Sequence, residues 1–288
     1  IALTIVGCKT DFEVNAPYDR IPIIYGILDQ SVDTQFIKIN RSFLGTDNLS
    51  YASINDSMYF QELEVKVEEI NANGNIDNVY SLQSKFVPVN SNNGIFFTGN
   101  QKVYYFVPSV PLDQTKDYQI KGEGDGKPFS SKTNIIQAFD FAFKFKNSTS
   151  VNGVKLYSNG NYYDIKPTWN QSPDAESYDV VMRFHYTETK NGIETQKYID
   201  WNMGSSKPTN FGDLSVELNT EGFYALLANN SDLKDTVGVS KRVIGNVDFR
   251  VTSANYILKT YMDVSSPNNS IAFDKPDYTN IEGGRGVW

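Results

Sequence analysis

The chain of 288 residues holds one cysteine, Cys8, and one histidine, His185. A lone cysteine excludes an intrachain disulfide and a Cys-rich zinc site, and a lone histidine excludes a multi-histidine zinc centre or a His-Glu-x-x-His metalloprotease. Positive charge is also scarce: 26 Lys and Arg stand against 34 Asp and Glu, a net charge of -8. That balance repels phosphate backbones and argues against nucleic acid as a partner. No apolar run approaches the ~20 residues that a membrane-spanning helix needs. Neither a Gly-x-Ser-x-Gly elbow nor a Gly-x-x-x-x-Gly-Lys-Ser/Thr phosphate loop occurs. The sequence therefore assigns no catalytic residue, no metal and no cofactor. Carboxylate chemistry stays open, because the paired acids of a hydrolase need only face each other at about 5 to 10 Å and leave no short signature.

What is present begins at Cys8, which ends a short apolar run, Leu3 to Ile5-Val6-Gly7, and gives way at once to Lys9-Thr10-Asp11-Phe12-Glu13. This arrangement resembles a lipobox, in which a small residue admits the chain to the signal peptidase and the next residue's thiol receives a diacylglycerol. The resemblance implies that residues 1–16 are a signal remnant and tether, and that lipid at Cys8 holds the chain to a membrane. Two or more acyl chains anchor stably, at roughly 0.8 kcal/mol per buried CH2 group. A buried apolar cysteine is the plainer alternative. Lys9, Asp11 and Glu13 resemble the short charged signal that sends Bacteroidota lipoproteins to the outer face of the outer membrane, although a solvated tether would carry similar charges.

Beyond the tether the dominant period is two. The spans 21–28, 35–44, 63–70, 79–87, 103–110 and 118–121 read as strands rich in Tyr, Phe, Ile and Val, with turn signals at Asn73-Gly74, Asn93-Gly94 and Gly124-Asp125-Gly126. In Glu62-Leu63-Glu64-Val65-Lys66-Val67-Glu68 the apolar residues face one way and the charges the other, the pattern of a half-buried antiparallel strand. The glycine-rich stretch over 122–138 breaks the pattern. The expectation is an all-β protein of two antiparallel, immunoglobulin-like sandwiches, divided as 17–133 and 134–270, with a C-terminal tail over 271–288.

In the second unit Lys166-Pro167-Thr168-Trp169 precedes Pro173, Ala175, Tyr178 and Val180. A Trp in one strand, a Pro-containing turn and Ala-x-x-Tyr-x-Val opening the next strand resemble the fibronectin type III sandwich. That resemblance implies that Trp169 packs between the sheets. Asn191-Gly192 reads as the tip of a long hairpin returning over 195–203. The span 221–229 is the one segment expected to be helical, and 242–251 and 255–264 are expected as the closing strands. A wider resemblance rests on Pro22-Ile23-Ile24-Tyr25-Gly26-Ile27-Leu28-Asp29, on 35–45, and on the closing Asp277-Tyr278-Thr279-Asn280-Ile281-Glu282-Gly283-Gly284-Arg285-Gly286-Val287-Trp288. These are similar to uncharacterised Bacteroidota surface lipoproteins of the domain-of-unknown-function class. The resemblance implies a surface module beside a TonB-dependent transporter, and it carries over no catalytic residue.

Among candidate sites, Tyr162 and Tyr163 beside Asn159-Gly160-Asn161 are placed to stack on a sugar face while asparagines bond its hydroxyls. Strand packing enriches tyrosine too. Ser57 in Asp56-Ser57-Met58 and Thr236 in Asp235-Thr236-Val237 resemble the O-glycosylation sequons of exported Bacteroidota proteins. Glu123 and Asp125 have the oxygens for a calcium ion but lack the Asp-x-Asp-x-Asp-Gly spacing. His185 falls on the polar face of its strand. Three functions follow as expectations: a non-catalytic binding or accessory module for an outer-membrane transporter or surface protein, a glycan-binding or adhesive lipoprotein, and a carboxylate-based hydrolase.

Overall fold

The computed structural model describes residues 20–42, 58–88, 100–144, 156–210, 212–266 and 277–288. In chain order its strands are β1 (Pro22–Gly26), β2 (Gln35–Arg41), β3 (Leu63–Ile70), β4 (Ile76–Ser81), β5 (Gln83–Pro88), β6 (Asn100–Phe106), β7 (Asp117–Gly124) and β8 (Lys127–Asn134). They continue as β9 (Phe141–Lys144), β10 (Tyr157–Ser158), β11 (Asn161–Tyr162), β12 (Lys166–Trp169), β13 (Ser177–Lys190), β14 (Ile193–Ser206), β15 (Leu214–Ser215), β16 (Val239–Ala254) and β17 (Arg285–Val287). The helices are α1 (Thr220–Asn229), α2 (Ser231–Lys234) and α3 (Tyr256–Ser265). The chain is all-β in class, built from several antiparallel sheets.

Two compact units divide it. The first takes the chain to Leu112, then Asp117–Thr133 and Thr279–Trp288; the second takes Asp113–Lys116 and Asn134–Tyr278. The second is thus an insertion in the first. Of the expected C-terminal tail over 271–288, the last ten residues, 279–288, belong to the first unit.

In the first unit one sheet has the order β17-β1-β2-β6-β5 and the other β4-β3-β7-β8. Alternation along β1 and β2 turns Ile24, Ile37 and Ile39 inward, and Val67, Tyr118, Ile120 and Phe129 do the same from the other sheet. Tyr80 stacks on Phe106 at 5.0 Å, and the Trp288 indole N–H donates to the Tyr118 carbonyl at 3.0 Å, so the two sheets face each other across one core. β17 lies parallel to β1, with Ile24 opposite Gly286. Burying Ile281 and Val287 of this last segment contributes roughly 1.5–3 kcal/mol each. The Asn280 side chain fixes its end, accepting from the Trp288 N–H at 3.0 Å and donating to the Trp288 carbonyl at 2.7 Å.

Three expectations change here. The single strand over 79–87 is two, β4 and β5, which lie on different sheets. The glycine-rich break is a hairpin, because Asp125 (φ 48°) and Gly126 (φ 79°) form the tight turn that lets β8 pair with β7. Glu68 of β3 is buried although its face is polar, since Lys66 and Lys121 each approach its carboxylate at 2.8 Å.

In the second unit the sheets are β15-β12-β9 and β14-β13-β16, with β10-β11 as a small separate ribbon. Trp169, Ala175, Tyr178, Val180 and Leu214 form the core, with Phe139, Met203 and Val251 packed on it. Trp169 is 1% exposed and its ring lies 5.8 Å from that of Tyr178, so it fills the position between sheets that the sequence implied. These six strands divide three and three between the two sheets, and α3 follows β16 in the chain. Asn191 (φ 52°) and Gly192 (φ 81°) turn the long hairpin, which is longer than expected because β13 and β14 each run 14 residues. A second core of Ile165, Met182, Leu218 and Phe223 lies under α1, with Phe184, Trp201, Leu226 and Leu227 around it.

The helix expectation is also corrected. The span 255–264 was expected as a strand but forms α3, started by Asn255, whose side-chain oxygen accepts from the Leu258 N–H at 3.0 Å. Asn219 caps α1 and Asn230 caps α2 in the same way. The described residues therefore hold three helices rather than one.

Candidate functional site

The sequence Tyr157-Ser158-Asn159-Gly160-Asn161-Tyr162 forms a hairpin with two residues in each strand. Asn159 (φ 50°) and Gly160 (φ 80°) are the residue types that a two-residue type I′ turn demands. The register sets Tyr157 directly opposite Tyr162. Alternation then assigns the flanking residues to the other side. Leu156 packs against the core beneath α1, and its carbonyl accepts from the half-buried Tyr163 N–H at 3.0 Å.

The base of the ribbon is tied to the first turn of α1. The Thr220 hydroxyl donates to the Tyr163 carbonyl at 2.8 Å, and the Thr220 N–H donates to Asp164 Oδ1 at 3.2 Å. Tyr224, one turn further along α1, is thereby brought to the tyrosine pair. The ring centroids are 5.1 Å apart for Tyr157 and Tyr162, 5.7 Å for Tyr162 and Tyr224, and 6.2 Å for Tyr157 and Tyr224. Interplanar angles of 54°, 41° and 69° show that the rings are tilted on one another rather than coplanar. The neighbouring Phe223 is buried against Trp201 at 5.5 Å and Phe184 at 5.6 Å, and its ring lies 5.8 Å from that of Tyr224.

The structure thus brings Tyr162 into a three-tyrosine cluster, and places Tyr163 on the other side of the ribbon. Sequence reasoning missed Tyr157 and Tyr224. The cross-strand partner was accessible from the Asn-Gly turn, five positions before Tyr162, but nothing local marks Tyr224, 62 residues downstream in a helix.

The other candidates are committed to their own neighbours. His185 Nε2 lies 2.7 Å from Asp248 Oδ2, and Asp248 Oδ1 accepts from the Asn246 side chain at 2.9 Å. Arg183 grips Asp200 through two hydrogen bonds of 2.6 Å while its guanidinium lies 3.7 Å from the Tyr198 ring centroid. The Arg183 hydrogen bond holds the Asp200 carboxyl below the ordinary carboxylate range. Together these form an ionic strip along the outer face of β13.

Asp125 accepts from the backbone N–H groups of Gln61 and Glu62 at 3.0 and 3.1 Å, and from Arg41 and Arg20 at 2.9 and 3.3 Å. The Glu62 N–H is the main cause of its lowered pKa. Both Asp125 oxygens are therefore engaged within the protein, which removes the basis of a calcium reading there. Among the described residues no three His, Cys, Asp or Glu side chains gather as metal ligands would. Thr236 is exposed in a turn where Asp235 Oδ1 accepts from the Val237 N–H at 3.0 Å. Cys8 and Ser57 lie outside the described residues. Among the described residues no helix is long and apolar enough to cross a membrane.

No protein-family model matches the chain, and no curated protein is similar to it at a significant level.

Proposed function

We propose that the chain is a non-catalytic lipoprotein of the outer membrane, anchored by lipid at Cys8 and facing the cell exterior, where its sandwich units act as a binding or accessory module. A TonB-dependent transporter is the partner class proposed for it. The observation that carries this reading is the run Leu3-Thr4-Ile5-Val6-Gly7-Cys8 followed at once by Lys9, Asp11 and Glu13, in a chain whose only thiol is Cys8. The fold supports it in a second way: rigid sandwiches present turns and short ribbons to solvent, and such presented segments are where binding residues concentrate. The acids named above are held by basic side chains or backbone amides, which suits a binding role better than proton transfer.

The test is to express the chain with its native export signal in a Bacteroidota host and feed an alkyne fatty acid. The wild type is expected to take up label, to sediment with outer membranes and to be shaved from intact cells by added protease. Cys8→Ala is expected to lose the label and the membrane association. Wild-type protein that carries no label overturns the anchor. Affinity capture from gently solubilised outer membranes then reads the partner: a transporter barrel in near-stoichiometric yield supports the accessory role, and recovery of the chain alone counts against it.

A further inference from the structure

We infer that Tyr157, Tyr162 and Tyr224 form a stacking site for a neutral saccharide, which deepens the surface-module reading by naming a ligand class for it and rests on the chain being displayed outside the cell. Three observations meet at this patch. The first is exposure. The residues are 50%, 45% and 37% exposed and all three rings touch. With about 150–250 Å² per side chain, that leaves roughly 200–330 Å² of tyrosine facing water in one patch. The largest apolar patch on a typical monomer is about 300–600 Å² and is often functional.

The second is that the core does not need these rings. Phe223, stacked on Trp201, already fills the core beneath α1, and it is 2% exposed. The ribbon β10-β11 holds two residues in each strand, and their one aromatic pair points away from that core.

The third separates this patch from the exposed rings of Phe36 and Tyr198. Phe36, with its neighbour Tyr105, lies beneath Lys85, at 4.6 and 5.1 Å from its ammonium nitrogen, and Tyr198 lies under Arg183. Those ring faces are occupied by cations of the same chain. Among the described residues no cation lies over Tyr157, Tyr162 or Tyr224, and none makes a hydrogen bond to their hydroxyls. Elsewhere the Tyr80 hydroxyl donates to Glu69 at 2.6 Å and that of Tyr105 to Gln83 at 2.8 Å.

The free faces and free hydroxyls define the ligand. A pyranose offers an apolar C–H face to a ring and hydroxyls around its rim, so phenol rings and phenol hydroxyls meet both parts of it. An anionic ligand would meet no positive charge in the cluster, on a chain of net charge -8. An organic cation would need rings standing apart to surround it. Centroids 5.1 to 6.2 Å apart put these rings in contact with one another, which leaves an outward surface and no cage.

Affinity electrophoresis of the full chain in gels cast with neutral polysaccharides (an α-glucan, a β-glucan, a galactomannan, an arabinoxylan and a mannan) tests the site, with polygalacturonate as the anionic comparison. Retardation by at least one neutral polysaccharide is expected. Tyr157→Ala, Tyr162→Ala and Tyr224→Ala should each weaken it about five- to tenfold, while Tyr162→Phe keeps most of it and Tyr198→Ala keeps all of it. No retardation by any neutral polysaccharide overturns the site, as does equal retardation of the triple alanine variant, or retardation by polygalacturonate alone. Should an alanine variant melt early, saturation-transfer NMR on the wild-type chain reads the same contact, and the absence of transfer from the tyrosine rings to the sugar C–H protons overturns it. Mobility in the gel does not depend on lipid at Cys8, so failure of the sugar site and failure of the anchor are read separately.

Discussion

Gly286 lies against Ile24 so closely that a Cβ placed on it would come 1.9 Å from the Ile24 carbonyl oxygen. The two residues are partners in the parallel pairing of β17 with β1, and Gly286 has φ +111°, a conformation that glycine alone adopts freely. A side chain there cannot be accommodated by a rotamer change, because the obstacle is backbone. Gly286→Ala is therefore expected to lift β17 from β1 and loosen Trp288, at a cost of about 3 kcal/mol or more. Urea unfolding followed by tryptophan fluorescence should show the transition of the first unit moving to lower urea. Gly74→Ala is the comparison: its φ is +81° but nothing lies within 4 Å, so only the left-handed conformation costs, about 1–2 kcal/mol. Equal losses in the two variants would show that the contact with Ile24 is unimportant.

Trp169 is the corresponding anchor of the second unit. It is 1% exposed, and it packs with Tyr178, Val180 and Leu214 from strands of both sheets. Trp169→Ala is expected to destabilise this unit by about 3–5 kcal/mol, and Trp169→Phe by less, because the ring partly fills the space. The check is a denaturation experiment that resolves two transitions, with the change confined to the second unit's. A variant that unfolds at the wild-type midpoint would contradict the packing described for Trp169.

The elements that the sequence disclosed are those whose pairing is local. β3 carries its own alternation, and the hairpin of β13 and β14 carries Asn191-Gly192 at its tip, so period and turn chemistry named both. β17 gave no such signal. Its partner β1 is about 260 residues away in sequence, with the whole second unit inserted between them, and three residues are too few to show a period. α3 misled for another reason. Tyr256, Ile257, Thr260, Tyr261 and Val264 have the β-branched and aromatic character of a strand, and the capping oxygen of Asn255 decides otherwise. β8 was hidden because glycine on either side of Asp125 reads as a break, whereas here it makes the turn. For the tyrosine site the same division holds: Tyr162 stands beside a readable Asn-Gly turn, while Tyr224 arrives through the tie between Thr220 and the ribbon.

Glu188 supplies a pH test of the distal part of the long hairpin. Its side chain is 3% exposed, with Lys197 Nζ at 2.6 Å from one oxygen and Arg242 Nε at 2.8 Å from the other. The same Arg242 donates to the carbonyls of Leu233 at 2.9 Å, Asp232 at 3.0 Å and Asp235 at 2.6 Å, so it ties the end of α2 to β16. The Lys197 hydrogen bond first, and that of Arg242 next, hold the Glu188 carboxyl below its ordinary value of 4.5. A carboxylate whose folded pKa lies below its unfolded one contributes stability in full above the unfolded value, and loses it as pH falls through the folded one. Glu188→Gln should therefore be less stable than wild type at neutral pH, with the difference shrinking as pH falls below 4.5. Urea midpoints of the second unit, taken from about pH 7 to about pH 3, provide the measurement. A difference that stays constant across that range would mean that Glu188 acts through shape and hydrogen bonding alone, and that its charge does not hold Arg242 in place.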